Sequence, residues 1–119
     1  MKRLNNLSKS KSIVFLLLSI FLFGGCSKKN DVPGGPGTNE VWMQNTAFKP
    51  SNKTIVKETT ITWTNKDSYN HTVTSSTAGI FDSGELGQNQ TFSYAFNTVG
   101  TFSYYCKDHS GMTGTMVVQ

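Results

Sequence analysis

Long apolar stretches are missing from this 119-residue sequence. The one conspicuous run, Ile13 to Phe23, is 11 residues and is broken by Ser19, against the ~20 that a helix needs to cross hydrocarbon. A basic surface is missing too, although the formal charge is +4. Residues 1–25 hold Lys2, Arg3, Lys9 and Lys11 with no acid, whereas from Cys26 onward Lys28, Lys29, Lys49, Lys53, Lys57, Lys66 and Lys107 are matched by Asp31, Glu40, Glu58, Asp67, Asp82, Glu85 and Asp108. The body of the chain therefore lacks the electrostatic footprint of a DNA or RNA binder, and that class is excluded. Neither an internal repeat nor a useful stretch of helical hydrophobic spacing is present, and the length suits one ordinary domain. Cysteine is scarce, with two in the chain.

What is there begins with an address. Positive charge in Met1–Ser12, the apolar run, and the small residues Gly24-Gly25 before Cys26 have the three-part order of a secretory signal. Leu22-Phe23-Gly24-Gly25-Cys26 resembles a bacterial lipobox, which implies cleavage before Cys26 and lipid on its sulfur. A disulfide from Cys26 to Cys106 is the default for an exported chain with two cysteines, but it would tie a flexible tail to the far end of the fold. With Cys26 lipidated, Cys106 is the lone thiol of the mature chain, and in an oxidising compartment such a thiol needs an occupant. The sequence thus divides into a lipoprotein signal at 1–25, a lipidated Cys and Gly/Pro-rich tether at 26–39, and a domain at 40–119. The tether, centred on Pro33-Gly34-Gly35-Pro36-Gly37, has too little apolar surface to fold.

The domain reads as short strands. Val41-Trp42-Met43, Thr54–Lys57, Thr60–Thr64, His71–Thr74, Gln90–Phe96, Thr101–Cys106 and Thr115–Val118 are β-branched, aromatic or alternating runs with turn residues between them. Alternation places Phe92, Tyr94 and Phe96 on one face, and Phe102, Tyr104 and Cys106 inward with Tyr105 outward. Seven or so such strands predict an antiparallel β-sandwich. Trp42, Trp63, Phe48 and Met43 are expected in its core.

One cluster carries chemistry. Cys106, His109 and Met112 fall in a C-x2-H-x2-M pattern after an alternating strand, and the other histidine of the chain, His71, starts a different one. A tight loop containing Gly111 can bring His109 and Met112 back to Cys106, and His71 can reach the same point across the sandwich top. One thiolate, two imidazoles and a weak thioether form the donor set of blue-copper electron-transfer sites. Zinc competes, because Cys with two His also suits it, but a thioether adds nothing for zinc.

At these residues the chain resembles the cupredoxins, and within them the plastocyanin- and amicyanin-like blue copper proteins. Asn45–Pro50, Trp63–Asp67 leading to His71-Thr72-Val73, and Phe102–Cys106 through Gly114–Val118 carry the likeness. The resemblance implies an all-β, Greek-key antiparallel sandwich of about 7–8 strands, one type 1 copper, His71, Cys106 and His109 as equatorial ligands, and Met112 as the axial one. It makes Met116 a packing residue, the edge of His109 the main electron route, and Tyr105 part of a docking surface and second route. Two positions depart from the family: Thr72 stands where Asn is common, and the Cys106–Met112 loop has no proline.

The expectation is an electron carrier, not an enzyme: two histidines and one domain leave no ligands for a second, catalytic copper. It would be a monomer anchored by lipid at a bacterial envelope, facing the periplasm or the cell surface, and would exchange electrons with a redox protein such as a cytochrome or oxidase. Copper storage, delivery or resistance with the same ligands is the alternative.

Overall fold

The structure, a computed structural model, describes residues 34–119; the signal segment and Cys26 lie outside the described residues. Eight strands and no helix occur among them. They are β1 (Glu40–Met43), β2 (Phe48–Lys49), β3 (Asn52–Ile55), β4 (Thr59–Asn65), β5 (Thr74–Ser75), β6 (Thr91–Phe96), β7 (Gly100–Tyr105) and β8 (Thr113–Val118). Two four-stranded sheets result, ordered β2-β1-β4-β6 and β3-β8-β7-β5.

The expected sandwich is present, with sheets that are mixed rather than wholly antiparallel. β1 runs parallel to β4, and β3 runs parallel to β8. Parallel neighbours need a crossover, and the crossover between β1 and β4 contains β3, which belongs to the opposite sheet. That exchange of strands between layers is invisible to alternation, which reports faces and not partners. Hydrogen bonds reach back from β1 as far as Gly37. The Glu40 N–H donates to Gly37 O, the Gly37 N–H to the Glu40 carboxylate, and the Thr62 N–H to Asn39 O. Backbone groups beside β4 offer those residues partners that composition alone does not show.

Trp63 sits at the centre of the core, fully buried. Phe81, Phe92, Phe96 and Tyr104 surround it with ring centroids 5.5–6.2 Å away. Val41, Met43, Phe48, Ile61, Met116 and Val118 complete the interior, each fully buried side chain of this kind contributing about 1.5–3 kcal/mol. Met43, Met116 and Phe48 are therefore where the sequence puts them. Trp42 is not: because Val41 and Met43 point inward, period-2 geometry turns Trp42 to the outer face, where the Lys66 ammonium lies 4.7 Å from its ring centroid.

His71–Val73 also departs from expectation. Instead of a strand, the stretch makes one isolated bridge, with His71 N–H donating to Leu86 O (3.1 Å) and Leu86 N–H to His71 O (2.8 Å). Residues 71–75 are all buried, so no solvent face exists to give alternation its meaning. β-Branched composition marked the burial correctly and the strand wrongly.

Candidate metal centre

The loop after β4 is built on Asn65, the last residue of the strand and fully buried. Its side-chain amide donates to Tyr69 O and Leu86 O, both at 2.8 Å, and its Oδ1 accepts from the Asp67 N–H at 2.9 Å. One side chain thus folds residues 65–69 back on themselves and pins the Leu86 segment that pairs with His71. On the other side, β7 ends at Tyr105 and β8 begins at Thr113. Cys106 follows an inward Tyr104 by two residues and so points inward as well. The Cys106 N–H donates to Met112 O at 3.0 Å and the Met112 N–H to His109 O at 3.2 Å, while Gly111 supplies the positive φ of 83° that closes the loop.

These two loops bring together residues 35 positions apart. Cys106 Sγ lies 3.7 Å from His71 Nδ1 and 3.6 Å from His109 Nδ1. His71, Cys106 and Met112 are buried and His109 is half-buried. Three of the four expected ligands thus form one cluster of potential donor atoms, and Met112 is buried in the loop that carries two of them. The spacing fits an ion. Metal–sulfur and metal–nitrogen bonds of ~2.3 and ~2.0 Å, meeting at roughly 110–120°, place sulfur and nitrogen ~3.5–3.7 Å apart.

The surroundings select which atoms face inward. His71 Nε2 is 2.8 Å from Asp67 Oδ2, so the N–H belongs on Nε2 and the Nδ1 lone pair is left toward the sulfur. Burial raises the Asp67 carboxyl, but hydrogen bonds from His71 Nε2 and from the Thr46 and Asn45 N–H groups outweigh it, and the net result is below the ordinary carboxylate value. Burial pushes the Tyr104 phenol up to about 12, so it is neutral at physiological pH.

Thr72 does the tying for which the family commonly uses Asn. Its N–H donates to Cys106 Sγ at 3.3 Å, and its hydroxyl accepts from the Lys107 N–H at 2.8 Å. That backbone donor fixes the position of the sulfur. The Lys107 ammonium pairs with Asp82, an additional link between the ligand loop and the segment after β5. Tyr105 is outward and 37% exposed, as alternation predicts. Asp67 and Tyr69 are the residues that sequence reasoning missed. Asp67 lies four positions before His71, the one available signal, and nothing local marks Tyr69, whose ring lies 5.1 Å from the His71 ring and 5.5 Å from that of His109.

A two-sheet sandwich with a Cys-His-Met loop at one end and a second histidine across from it defines a class, and comparison agrees. The chain belongs to the cupredoxin-like domain family, whose model matches residues 13–118. Among individual proteins, it is 32% identical over 90 residues to plastocyanin of Scenedesmus fuscus, covering 60% of this chain and 86% of that one. It is 34% identical over 87 residues to amicyanin-alpha of Methylorubrum extorquens (strain AM1), covering 70% and 73%. A purple cupredoxin from Nitrosopumilus maritimus superposes with a TM-score of 0.63 at 28% identity, over 67% of this chain and 98% of that one.

Proposed function

We propose that this protein is a blue copper electron carrier, cycling one ion between Cu(II) and Cu(I) at a bacterial envelope. The observation that carries the reading is the convergence of Cys106 Sγ, His71 Nδ1 and His109 Nδ1 at 3.6–3.7 Å, with Met112 buried in the same loop. Copper bound there would supply the one-electron redox chemistry. The chain's own part is to hold still. Thiolate and thioether suit Cu(I) while imidazole suits Cu(II), and ligands fixed by the sandwich leave little to rearrange when the electron moves. Asp67 keeps His71 in the Nδ1-facing tautomer, and Thr72 holds the sulfur. His109 is the one half-buried residue among the four candidate ligands, and its edge gives the site a way to solvent; Tyr105 beside Cys106 offers a second.

Burial of His71, Cys106 and Met112 leaves no open position for a substrate, which supports a carrier over an enzyme. It also disfavours delivery, which needs exchangeable metal. The copper relatives lend support, since plastocyanin and amicyanin-alpha cover most of their own lengths in the match. Repeated reduction by ascorbate and reoxidation by a c-type cytochrome, with copper measured after each cycle, tests the reading. A carrier retains its copper through the cycles; release of Cu(I) to a mild chelator on each reduction would show a store or delivery protein instead.

The location is part of the proposal. The signal-like segment and Cys26 support export and lipid anchoring, with the redox partner at the same membrane. Mass spectrometry of the mature protein reads acyl chains on an N-terminal Cys26, and Cys26→Ser moves the protein into the soluble fraction. An unmodified Cys26 in membrane-free extract would remove the anchor.

A further inference from the structure

The two candidate histidines are held very unequally. His71 is fully buried, bridged to Leu86 through its backbone, and fixed at Nε2 by Asp67. His109 is half-buried in a loop, and among the described residues its ring makes one hydrogen-bond contact, to the Cys106 sulfur. Something else must set its orientation if the site is to be ready for metal.

Tyr69 lies against it. The Tyr69 ring packs edge-on to His71 at 5.1 Å and tilted on His109 at 5.5 Å, and the two imidazoles are 4.7 Å apart. Although 44% exposed, Tyr69 is fastened at both ends. Its carbonyl accepts from the Asn65 side chain, and its hydroxyl is 2.8 Å from Thr46 Oγ1.

Thr46 is the unexpected partner. Asn45 and Thr46 are the two central residues of the β1–β2 hairpin, closed by the Gln44 N–H on Ala47 O, and both have positive φ, 56° and 55°. A turn of this kind favours Asn followed by Gly, and a β-branched residue with positive φ is an outlier. Such strain persists where the surroundings over-determine it, and it clusters at functional sites. Here the surroundings are visible: the Asn45 and Thr46 N–H groups both donate to Asp67, and the Thr46 hydroxyl holds Tyr69. The same turn therefore reaches His71 through Asp67 and His109 through Tyr69.

We infer that the Asn45–Thr46 turn and the Tyr69 ring form a clamp that presets both histidines for the metal, with Tyr69 the positioning residue for His109. The inference rests on the proposed metal site, but its first readout needs no metal. In copper-free protein carrying ¹³C-labelled histidine, the wild-type His109 ring gives sharp NMR signals, whereas Tyr69→Ala broadens or averages them while the His71 signals, shifted by loss of the neighbouring ring, stay sharp. In the copper-loaded protein, transfer of Cu(I) to bathocuproine disulfonate is about 3- to 10-fold faster in Tyr69→Ala, the range expected for losing an aromatic pair.

Tyr69→Phe keeps the ring and loses the hydroxyl, and Thr46→Gly removes the same bond from the other end. Each is expected to speed transfer about 2- to 4-fold, and combining them adds nothing further. Thr46→Gly also relieves the turn, so its thermal midpoint rises while its metal release quickens, a pairing of signs that a purely structural residue would not give. Sharp His109 signals in copper-free Tyr69→Ala would overturn the clamp even if the protein binds copper. Failure to bind copper would sink the proposed function and leave the copper-free result to judge the clamp.

Discussion

Asp67→Ala removes the partner that His71 cannot replace. Three donors converge on the Asp67 carboxylate: the N–H groups of Asn45 and Thr46 at 2.9 and 3.1 Å, and His71 Nε2 at 2.8 Å. Asn45 is exposed and Thr46 half-buried, so water takes over those two, but His71 is fully buried and its Nε2–H is left unpaired. A buried hydrogen bond to a charged group contributes about 1.5–3 kcal/mol. Removing an outer partner of a metal-ligating histidine typically costs about 10- to 100-fold in affinity, or about 1.4–2.7 kcal/mol. The two scales agree. Competition for Cu(I) against a chelator of known affinity should therefore place Asp67→Ala 10- to 100-fold weaker, and thermal unfolding of the copper-free protein should fall by about 6–24 °C at ~4–8 °C per kcal/mol. The pH dependence has a definite sign. Because the folded Asp67 carboxyl lies below its ordinary value, its contribution is complete above the unfolded value of ~3.9 and is lost as pH falls through the lower folded value. The wild type loses this increment only in acid, and Asp67→Ala has a flatter stability profile there. Copper affinity within twofold of wild type, with an unmoved midpoint at neutral pH, would refute the argument that Asp67 orients His71.

Other outcomes follow from the same contacts. Gly114 stands opposite Tyr104 in the β7–β8 register, and a Cβ on it would run into the Tyr104 ring; Gly114→Ala should therefore cost about 1–3 kcal/mol, read as a lower unfolding midpoint. Thr72→Val keeps the N–H on Cys106 Sγ but leaves the Lys107 N–H without its hydroxyl acceptor. A loss of about 0.5–1.5 kcal/mol in stability with the blue band retained is expected, and loss of the band would mean that the hydroxyl acts on the metal itself. Met112→Leu should leave the thiolate absorption in place and shift the reduction potential in cyclic voltammetry, since a weak axial donor tunes the couple without holding the ion.

The legible part of this protein was its strongest local pattern. C-x2-H-x2-M after an alternating strand located three ligand candidates, and alternation in β7 turned Cys106 in and Tyr105 out, because a period of two is a property of single strands. Aromatic character points Trp42 to the core, but its neighbours Val41 and Met43 claim the inner face. The parallel pairs and the isolated His71–Leu86 bridge depend on partners far along the chain, which composition does not encode. Nor could the clamp be read. Thr46 meets Asp67 and Tyr69 across 21 and 23 residues, and each of these side chains, taken alone, is an ordinary turn or loop residue.

The central claim is that the Cys106 sulfur and two imidazoles share one copper ion, and the visible spectrum of the Cu(II)-loaded domain tests it most directly. The account predicts an intense sulfur-to-copper charge-transfer band that disappears in Cys106→Ser while the fold survives. A colourless Cu(II) adduct, or a band unchanged by that substitution, would contradict it.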